Sequence, residues 1–193
     1  MARLPKVCKY IDLPLQHASD NILKQMKRQI TNAETIELLN TIREKVPGIA
    51  IRTTFLVGSP GETEEDFELL KQFVIDQKFD RMGVFQYSHE ENTSAFELED
   101  DVPEEVKEER AAILMSIQEP ISLAINEAKI GKVMKVLIDR KEGDFFYGRT
   151  EFDSPEVDNE VLIDAEKHYV RVGDFVNVHI ESASEFDLIG KPI

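Results

Sequence analysis

Residues 49–61 read IAIRTTFLVGSPG, an apolar run that ends in two glycines around Ser59 and Pro60. A continuous run of apolar, β-branched and aromatic residues is typical of a strand buried on both faces of a parallel sheet. The Gly- and Pro-rich segment predicts a turn, and a helix is expected to start at Gly61 or Thr63. This strand, turn and helix decide the fold class.

Similar units flank this one. Val7–Leu15 predicts a strand stopped by Pro14, and Arg81–Tyr87 predicts another. Three further helices are predicted. The first runs from Asp20 to about Arg28 after a Ser19 cap, and the second from a Thr31 or Asn32 cap to Pro47. The third runs from Glu104 to about Lys129, and Pro120 is expected to kink it or divide it. Strands that alternate with helices predict parallel β/α units, either half of an open sheet or an arc of a barrel.

Residues 129–193 carry a different pattern. The segments VMKVLID, FFYGRTEF, NEVLI and DFVNVHIESAS are short and alternate between apolar and polar residues. About five antiparallel strands in such a length predict a small closed barrel of the OB type. We therefore expect two domains, a parallel β/α domain of either kind over 1–128 and an antiparallel OB-like barrel over 129–193.

Composition excludes several classes of protein. The 193 residues carry a net charge of −15, which disfavours non-specific binding to nucleic acid and favours a basic partner, or serves solubility alone. No apolar run approaches the ~18 residues of a membrane span, and no signal peptide is evident. A cytoplasmic protein without a membrane association is expected. One cysteine excludes a disulfide framework and any metal site made of cysteines alone.

A few side chains stand out as candidates for a site. Arg52 is a cation within an apolar strand, so it must meet either a protein carboxylate or a ligand carboxylate. Gly58 and Gly61 either let the backbone approach a flat ligand or simply close the strand. His17 is expected to be a core or capping histidine and Cys8 a small core residue. No catalytic residue and no metal ligand set is predicted.

The order of motifs resembles the radical S-adenosylmethionine (SAM) methylthiotransferases. The matching segments are YIDLPLQH at 10–17 with ILKQMKR at 22–28, RTTFLVGSPGET at 52–63 with EDF at 65–67, FQYS at 85–88, VPEEVKEER at 102–110, and a TRAM-like region over 131–193. Two branches of this family compete. One modifies adenosine in tRNA, and the other adds a methylthio group to the β-carbon of an aspartate in a small-subunit ribosomal protein.

The resemblance favours the ribosomal branch, because DSPEVD at 153–158 and SEFDLIG at 184–190 resemble its version of the TRAM region. The charge of residues 129–193 also favours the ribosomal branch. Nine Lys and Arg against 14 Asp and Glu give a net charge of −5, and a negative domain suits a basic protein better than tRNA. The predicted partner surface comprises Glu151, Asp153, Glu156 and Asp158. The alternatives are the tRNA enzyme and a non-catalytic OB-like module that binds protein or RNA; the oligomeric state is left undetermined.

The resemblance also implies SAM and two 4Fe–4S clusters in the complete enzyme. Gln16 and Arg52 would face the amino-acid end of SAM, and Gly58 to Gly61 with Phe85 to Tyr87 would flank its adenine. The family holds its clusters with cysteine loops that this chain does not contain. The resemblance therefore implies the C-terminal part of such an enzyme, a parallel β/α half-barrel with strands four to six followed by the TRAM domain. We expect this chain alone to bind no cofactor and to be inactive.

Overall fold

The computed structural model describes residues 1–4, 6–91 and 95–193. It divides into two compact units, one made of residues 11–47 and 51–118 and the other of residues 1–10, 48–50 and 119–193. The division falls inside the last helix, and the domain limits 1–128 and 129–193 stay a prediction. Within the described residues, no helix is both long and apolar enough to cross a membrane.

Three strands form the first sheet in the order β1-β2-β3. β3 runs parallel to β2, with Arg52 beside Arg81 and Leu56 beside Phe85, so the predicted parallel β/α arrangement is confirmed. The elements are β1 (Tyr10–Gln16), α1 (Asp20–Gln25), α2 (Asn32–Lys45), β2 (Ala50–Val57), α3 (Glu64–Gln77), β3 (Arg81–Gln86) and α4 (Glu104–Glu127).

Local capping chemistry sets the helix starts, as predicted. The side chains of Ser19, Thr31 and Thr63 each accept a hydrogen bond from a backbone N–H in the first turn of α1, α2 and α3. α1 ends earlier than expected, at Gln25. Lys27 takes a left-handed conformation with φ 57°, and Arg28 N–H donates to the Leu23 carbonyl, which closes the helix.

One expectation about proline is wrong, and a second is wrong in part. β1 continues through Pro14 to Gln16. Among the described residues β1 has β2 as its one neighbour, and a strand tolerates a residue without an N–H donor on a side where no strand pairs with it. α4 is a single helix across Pro120, so the expected division into two segments is wrong, while a kink at Pro120 stays a prediction. A proline removes the hydrogen bond that its own N–H would donate, and its ring crowds the carbonyl four residues earlier, but α4 has full turns on both sides to support its backbone.

The two faces of the sheet differ. Along β2, Ile51, Phe55 and Val57 are fully buried, and Phe55 meets Phe73 and Phe79 edge to face, with ring centroids 6.1 and 5.8 Å apart. The alternate residues Arg52, Thr54 and Leu56 are only partly buried, and Phe85 beside Leu56 is 61% exposed. Because side chains alternate along a strand, Arg52 and Phe85 share the less covered face, here called the open face.

The barrel closes in the order β4-β5-β6-β8-β7. Its strands are β4 (Val133–Glu142), β5 (Phe145–Arg149), β6 (Glu160–Asp164), β7 (Phe175–Ala183) and β8 (Asp187–Pro192). The core contains Val136, Ile138, Phe146, Ile163 and Ile180. The predicted OB-like barrel is confirmed, except that β6 and β8 are parallel. Five strands cannot alternate in direction around a closed ring, so one neighbouring pair must be parallel.

Candidate functional site

The carboxyl ends of β2 and β3 meet at a small cavity of about 100 Å³. Its walls include Leu56, Pro60 and Tyr87, with Gln25 and Met26 from the end of α1. Ser59 also lines it, and the buried Ser59 Oγ has no hydrogen-bond partner among the described residues. Ligands of parallel β/α folds bind at this end of the strands, and an apolar wall with one orphaned hydroxyl suits a flat ring that carries a polar edge.

A buried carboxylate fixes the turn beside this cavity. Glu62 Oε2 accepts hydrogen bonds from the backbone N–H groups of Gly58 and Ser59, at 2.8 and 3.3 Å. Glu62 Oε1 accepts one from Arg110 Nη1 of α4 at 2.7 Å, and both side chains are almost fully buried. No local pattern names Arg110 as the partner of Glu62, because the two residues are far apart in the chain.

The end of β1 joins the same network through His17. Its Nδ1 accepts from Ser19 N–H at 2.9 Å, and its Nε2 lies 3.6 Å from Glu62 Oε2. This buried position fits the expected core or capping role. Gln16 has φ 75°, and His17 N–H donates to the Leu15 carbonyl at 3.0 Å. Those two features make a γ-turn, a strained conformation for a residue other than glycine.

Arg52 has a protein partner in this structure. Its Nη1 donates to Asp12 Oδ2 of β1 at 2.8 Å, with the Arg52 side chain 17% exposed and the Asp12 side chain 44% exposed. Gly83 leaves room next to it, since a Cβ there would lie 3.7 Å from Arg52 Nη2. Arg52 does not belong to the described lining of the cavity, so its proposed contact with SAM stays a prediction.

Packing accounts for the two glycines of the turn. Gly58 has φ 73° and lies against the stem of Lys107, while Gly61 has φ 73° and lies beside Gln25. Burial by itself would lower the pKa of the Lys107 ammonium, but hydrogen bonds to Glu104 and Asp100 raise it above the ordinary value. Lys107 Nζ also lies 5.4 Å from the centroid of the Tyr87 ring.

Tyr87 and Phe85 differ in burial, since Tyr87 is 8% exposed and Phe85 61%. Burial first, and then the charge of Asp100, raises the pKa of the Tyr87 phenol, whose oxygen lies 3.1 Å from His89 Nδ1. Phe85 stands exposed on the open face. The structure therefore brings Ser59 and Tyr87 to the cavity and leaves Arg52 and Phe85 outside its lining.

Only two of the four predicted partner-binding carboxylates are exposed. Glu151 and Glu156 are exposed. Asp153 is 7% exposed and accepts from the Thr150 hydroxyl. Asp158 is half-buried and accepts from the Tyr10 hydroxyl at 2.7 Å and from Ser154 N–H at 2.8 Å. Asp153 and Asp158 thus hold the loop between β5 and β6, which sequence reasoning did not foresee.

Cys8 is exposed, which corrects the expectation of a core residue; it precedes β1 and so lies outside the sheet. Among the described residues, no group of three or more His, Cys, Asp and Glu side chains is arranged to hold a metal ion.

Comparison with known proteins gives consistent matches along the chain. Residues 1–74 match the Radical SAM superfamily, and residues 130–193 match the TRAM domain. Three similar proteins carry the name ribosomal protein uS12 methylthiotransferase RimO. The one from Flavobacterium johnsoniae is 62% identical over 192 residues, that from Cytophaga hutchinsonii 59% over 191, and that from Bacteroides thetaiotaomicron 54% over 192.

These alignments cover 99–100% of this chain and 44% of each relative. The chain therefore spans less than half the length of the relatives that it matches.

Proposed function

Because this chain belongs to the radical SAM methylthiotransferase family, we propose that it supplies two parts of such an enzyme: part of the SAM site and the barrel that docks the partner. The complete enzyme would add a methylthio group to the β-carbon of an aspartate in ribosomal protein uS12. The observation that carries this proposal is the 62% identity along the whole chain to a protein named ribosomal protein uS12 methylthiotransferase. A cytoplasmic location, where ribosomal proteins are found, is part of the same proposal.

The residues at the cavity fit the adenine end of SAM. The orphaned Ser59 Oγ offers a hydrogen bond, Tyr87 and Leu56 supply apolar wall, and the Glu62 carboxylate keeps the Gly58 to Gly61 turn in place. Phe85, Gln16 and Arg52 lie on the open face or at the end of β1, where they would meet the rest of the cofactor. When bound, SAM and its iron–sulfur cluster supply the radical chemistry, and the protein supplies position.

Cluster binding requires cysteines beyond those of this chain. A 4Fe–4S cluster is usually held by cysteine thiolates, and the 193 residues contain one cysteine. We therefore propose that the chain by itself assembles no such cluster and does not cleave SAM, and that the two clusters of the complete enzyme are held elsewhere. Reconstitution of the purified chain with iron and sulfide, followed by assay for 5′-deoxyadenosine, tests this; product above a no-protein control would contradict it.

The substrate is tested in the complete enzyme that contains this chain. Incubation with SAM, a sulfur source and a reductant, in the presence of both uS12 and tRNA, is followed by mass spectrometry of each. We expect the methylthio group on an aspartate of uS12. Modification of adenosine in tRNA instead would contradict the proposal and favour the other branch of the family.

A further inference from the structure

A cleft of about 600 Å³ opens on the barrel beside the loop between β5 and β6. Five carboxylates and two arginines line it, so its formal charge is −3. Such a volume admits a long side chain together with a stretch of main chain. All of its lining residues lie within 119–193, in one of the two compact units. None of them lines the cavity at the ends of β2 and β3.

The two arginines are already neutralised by neighbours. Arg140 donates to Glu160, with Nη2 to Oε2 at 2.9 Å, and to Glu142 at 3.2 Å. Arg149 is paired with Asp139. The excess negative charge therefore falls on Glu156, Asp158 and Asp187, which lie on the loop and at the start of β8.

The excess negative charge of the cleft affects the carboxyl of Asp187. Burial, the largest effect, raises the pKa of its carboxyl, and the negative charge of Glu160 also raises it. The hydrogen bond from Glu160 N–H lowers it, but the pKa of Asp187 still lies above its ordinary value. A cation in the cleft would relieve the repulsion between these carboxylates.

An independent feature of the wall is an amide NH₂ group that has no hydrogen-bond acceptor among the described residues. Asn159 lines the cleft and is 6% exposed, and its Nδ2 donates no hydrogen bond within the described part of the chain. A buried amide donor left unsatisfied is costly, so its retention here points to an acceptor that arrives with a ligand.

We propose that this cleft binds a lysine or arginine side chain of a peptide segment, with the cation against Glu156 and Asp187 and a main-chain carbonyl of the segment accepting from Asn159 Nδ2. A peptide supplies both groups at once, since each residue carries a carbonyl next to its side chain. Phosphate-bearing polymers are repelled by the same charge. The proposal rests on the proposed function for the identity of the partner, a basic ribosomal protein.

The probe is a short, acetyl- and amide-capped peptide of Arg-Gly repeats, titrated into the full chain, with a Glu-Gly peptide as its acidic control. We expect the side-chain NH₂ resonances of Asn159 to shift with the Arg-Gly peptide and not with the Glu-Gly peptide. Replacement of Glu156 by Gln together with Asp187 by Asn should weaken binding about tenfold or more, as the loss of charge-assisted hydrogen bonds does.

Two further variants separate the site from general charge. The control pair Asp144→Asn with Glu166→Gln removes the same charge from exposed positions on the barrel outside the cleft and should leave the peptide affinity within about twofold, since exposed charges contribute little. Asn159→Leu should lower peptide affinity while thermal stability is retained, because the orphaned donor is removed. Equal loss of affinity in the control pair, or unchanged affinity in Asn159→Leu, would overturn the assignment.

The failure of this site and that of the proposed function are distinguishable. If the double variant of Glu156 and Asp187 binds uS12 with the same affinity as the unmodified chain, the cleft proposal is overturned, while uS12 is still supported as the partner. Binding of the Arg-Gly peptide in the cleft without any binding of uS12 would support the cleft and contradict the proposed partner.

Discussion

Gly58 lies so close to Lys107 that a Cβ on residue 58 would stand 2.2 Å from Cγ and 2.9 Å from Cδ of the lysine. The Lys107 side chain is 1% exposed, and its Nζ donates to Asp100 at 2.9 Å and to Glu104 at 2.8 Å. The stem therefore cannot move aside without breaking these two ion pairs of a buried lysine. This contact attaches the first turns of α4 to the turn that follows β2.

Gly58→Ala is expected to destabilise the chain by about 2–5 kcal/mol. A left-handed backbone costs an alanine roughly 1–2 kcal/mol, and forced overpacking adds roughly 1–3 kcal/mol. The measurement is the free energy of unfolding from denaturant titration. Gly48→Ala is the matched control, because Gly48 has φ 76° but nothing within 4 Å of its Cβ position, so it should show the backbone cost alone. Equal losses in the two variants would rule out the Lys107 contact as a cause.

Asp66 should make stability depend on pH. Burial by itself would raise the pKa of this carboxyl, but hydrogen bonds from Ser19 and Thr63, with a smaller one from Asn21, hold it below the ordinary value. A carboxyl whose pKa is depressed by folding stabilises the native state above its unfolded pKa of about 3.9, and that contribution is lost as the pH falls through the folded pKa.

Asp66→Asn should therefore lower stability by about 1.5–3 kcal/mol at neutral pH, the range for hydrogen bonds to a charged group. The difference from the unmodified chain should shrink as the pH falls below about 4. Denaturant midpoints measured across a pH series check this. Asp76→Asn, on the exposed side of α3, is the control and should show no comparable trend; a constant difference at every pH would contradict the role of the Asp66 charge.

Sequence reasoning succeeded where the interaction is local and failed where it joins distant residues. The caps at Ser19, Thr31 and Thr63 lie within three residues of the groups they bind, so they can be found by inspection. The salt bridges of Arg52 with Asp12 and of Arg110 with Glu62 span 40 and 48 residues. Sequence indicated that Arg52 needs a partner but could not name it. Likewise Asp153 looked exposed in an acidic loop, and only the fold shows it buried against Thr150.

Arg52 can be tested against its partner. If Arg52 binds the SAM carboxylate, Arg52→Met in the complete enzyme should weaken SAM binding roughly tenfold to a hundredfold, as loss of a charge-assisted hydrogen bond does. Asp12→Asn is the matched control. It removes a partly exposed ion pair, which contributes at most about 1 kcal/mol to stability, and leaves Arg52 available, so SAM affinity should be kept or improved.

Isothermal titration with SAM and thermal unfolding of both variants decide the outcome. An unchanged SAM dissociation constant in Arg52→Met, or a large loss of thermal stability, would support a structural ion pair instead.

The acidic barrel should distinguish between a basic protein and tRNA. Residues 129–193 carry a charge of −5, so association with uS12 should be faster at low salt, and tRNA should bind weakly because few cations are present to release its counterions. Glu151 and Glu156 are exposed and can act on an approaching partner. Asp153 and Asp158 hold the loop.

Replacing Glu151 and Glu156 by Gln should slow association with uS12 and flatten its salt dependence with little change in stability, whereas Asp153→Asn should mainly destabilise the fold. Stopped-flow association of the full chain across a salt series, with unfolding measured in parallel, checks both. Tighter binding to tRNA than to uS12 at physiological salt would overturn the assignment to the ribosomal branch.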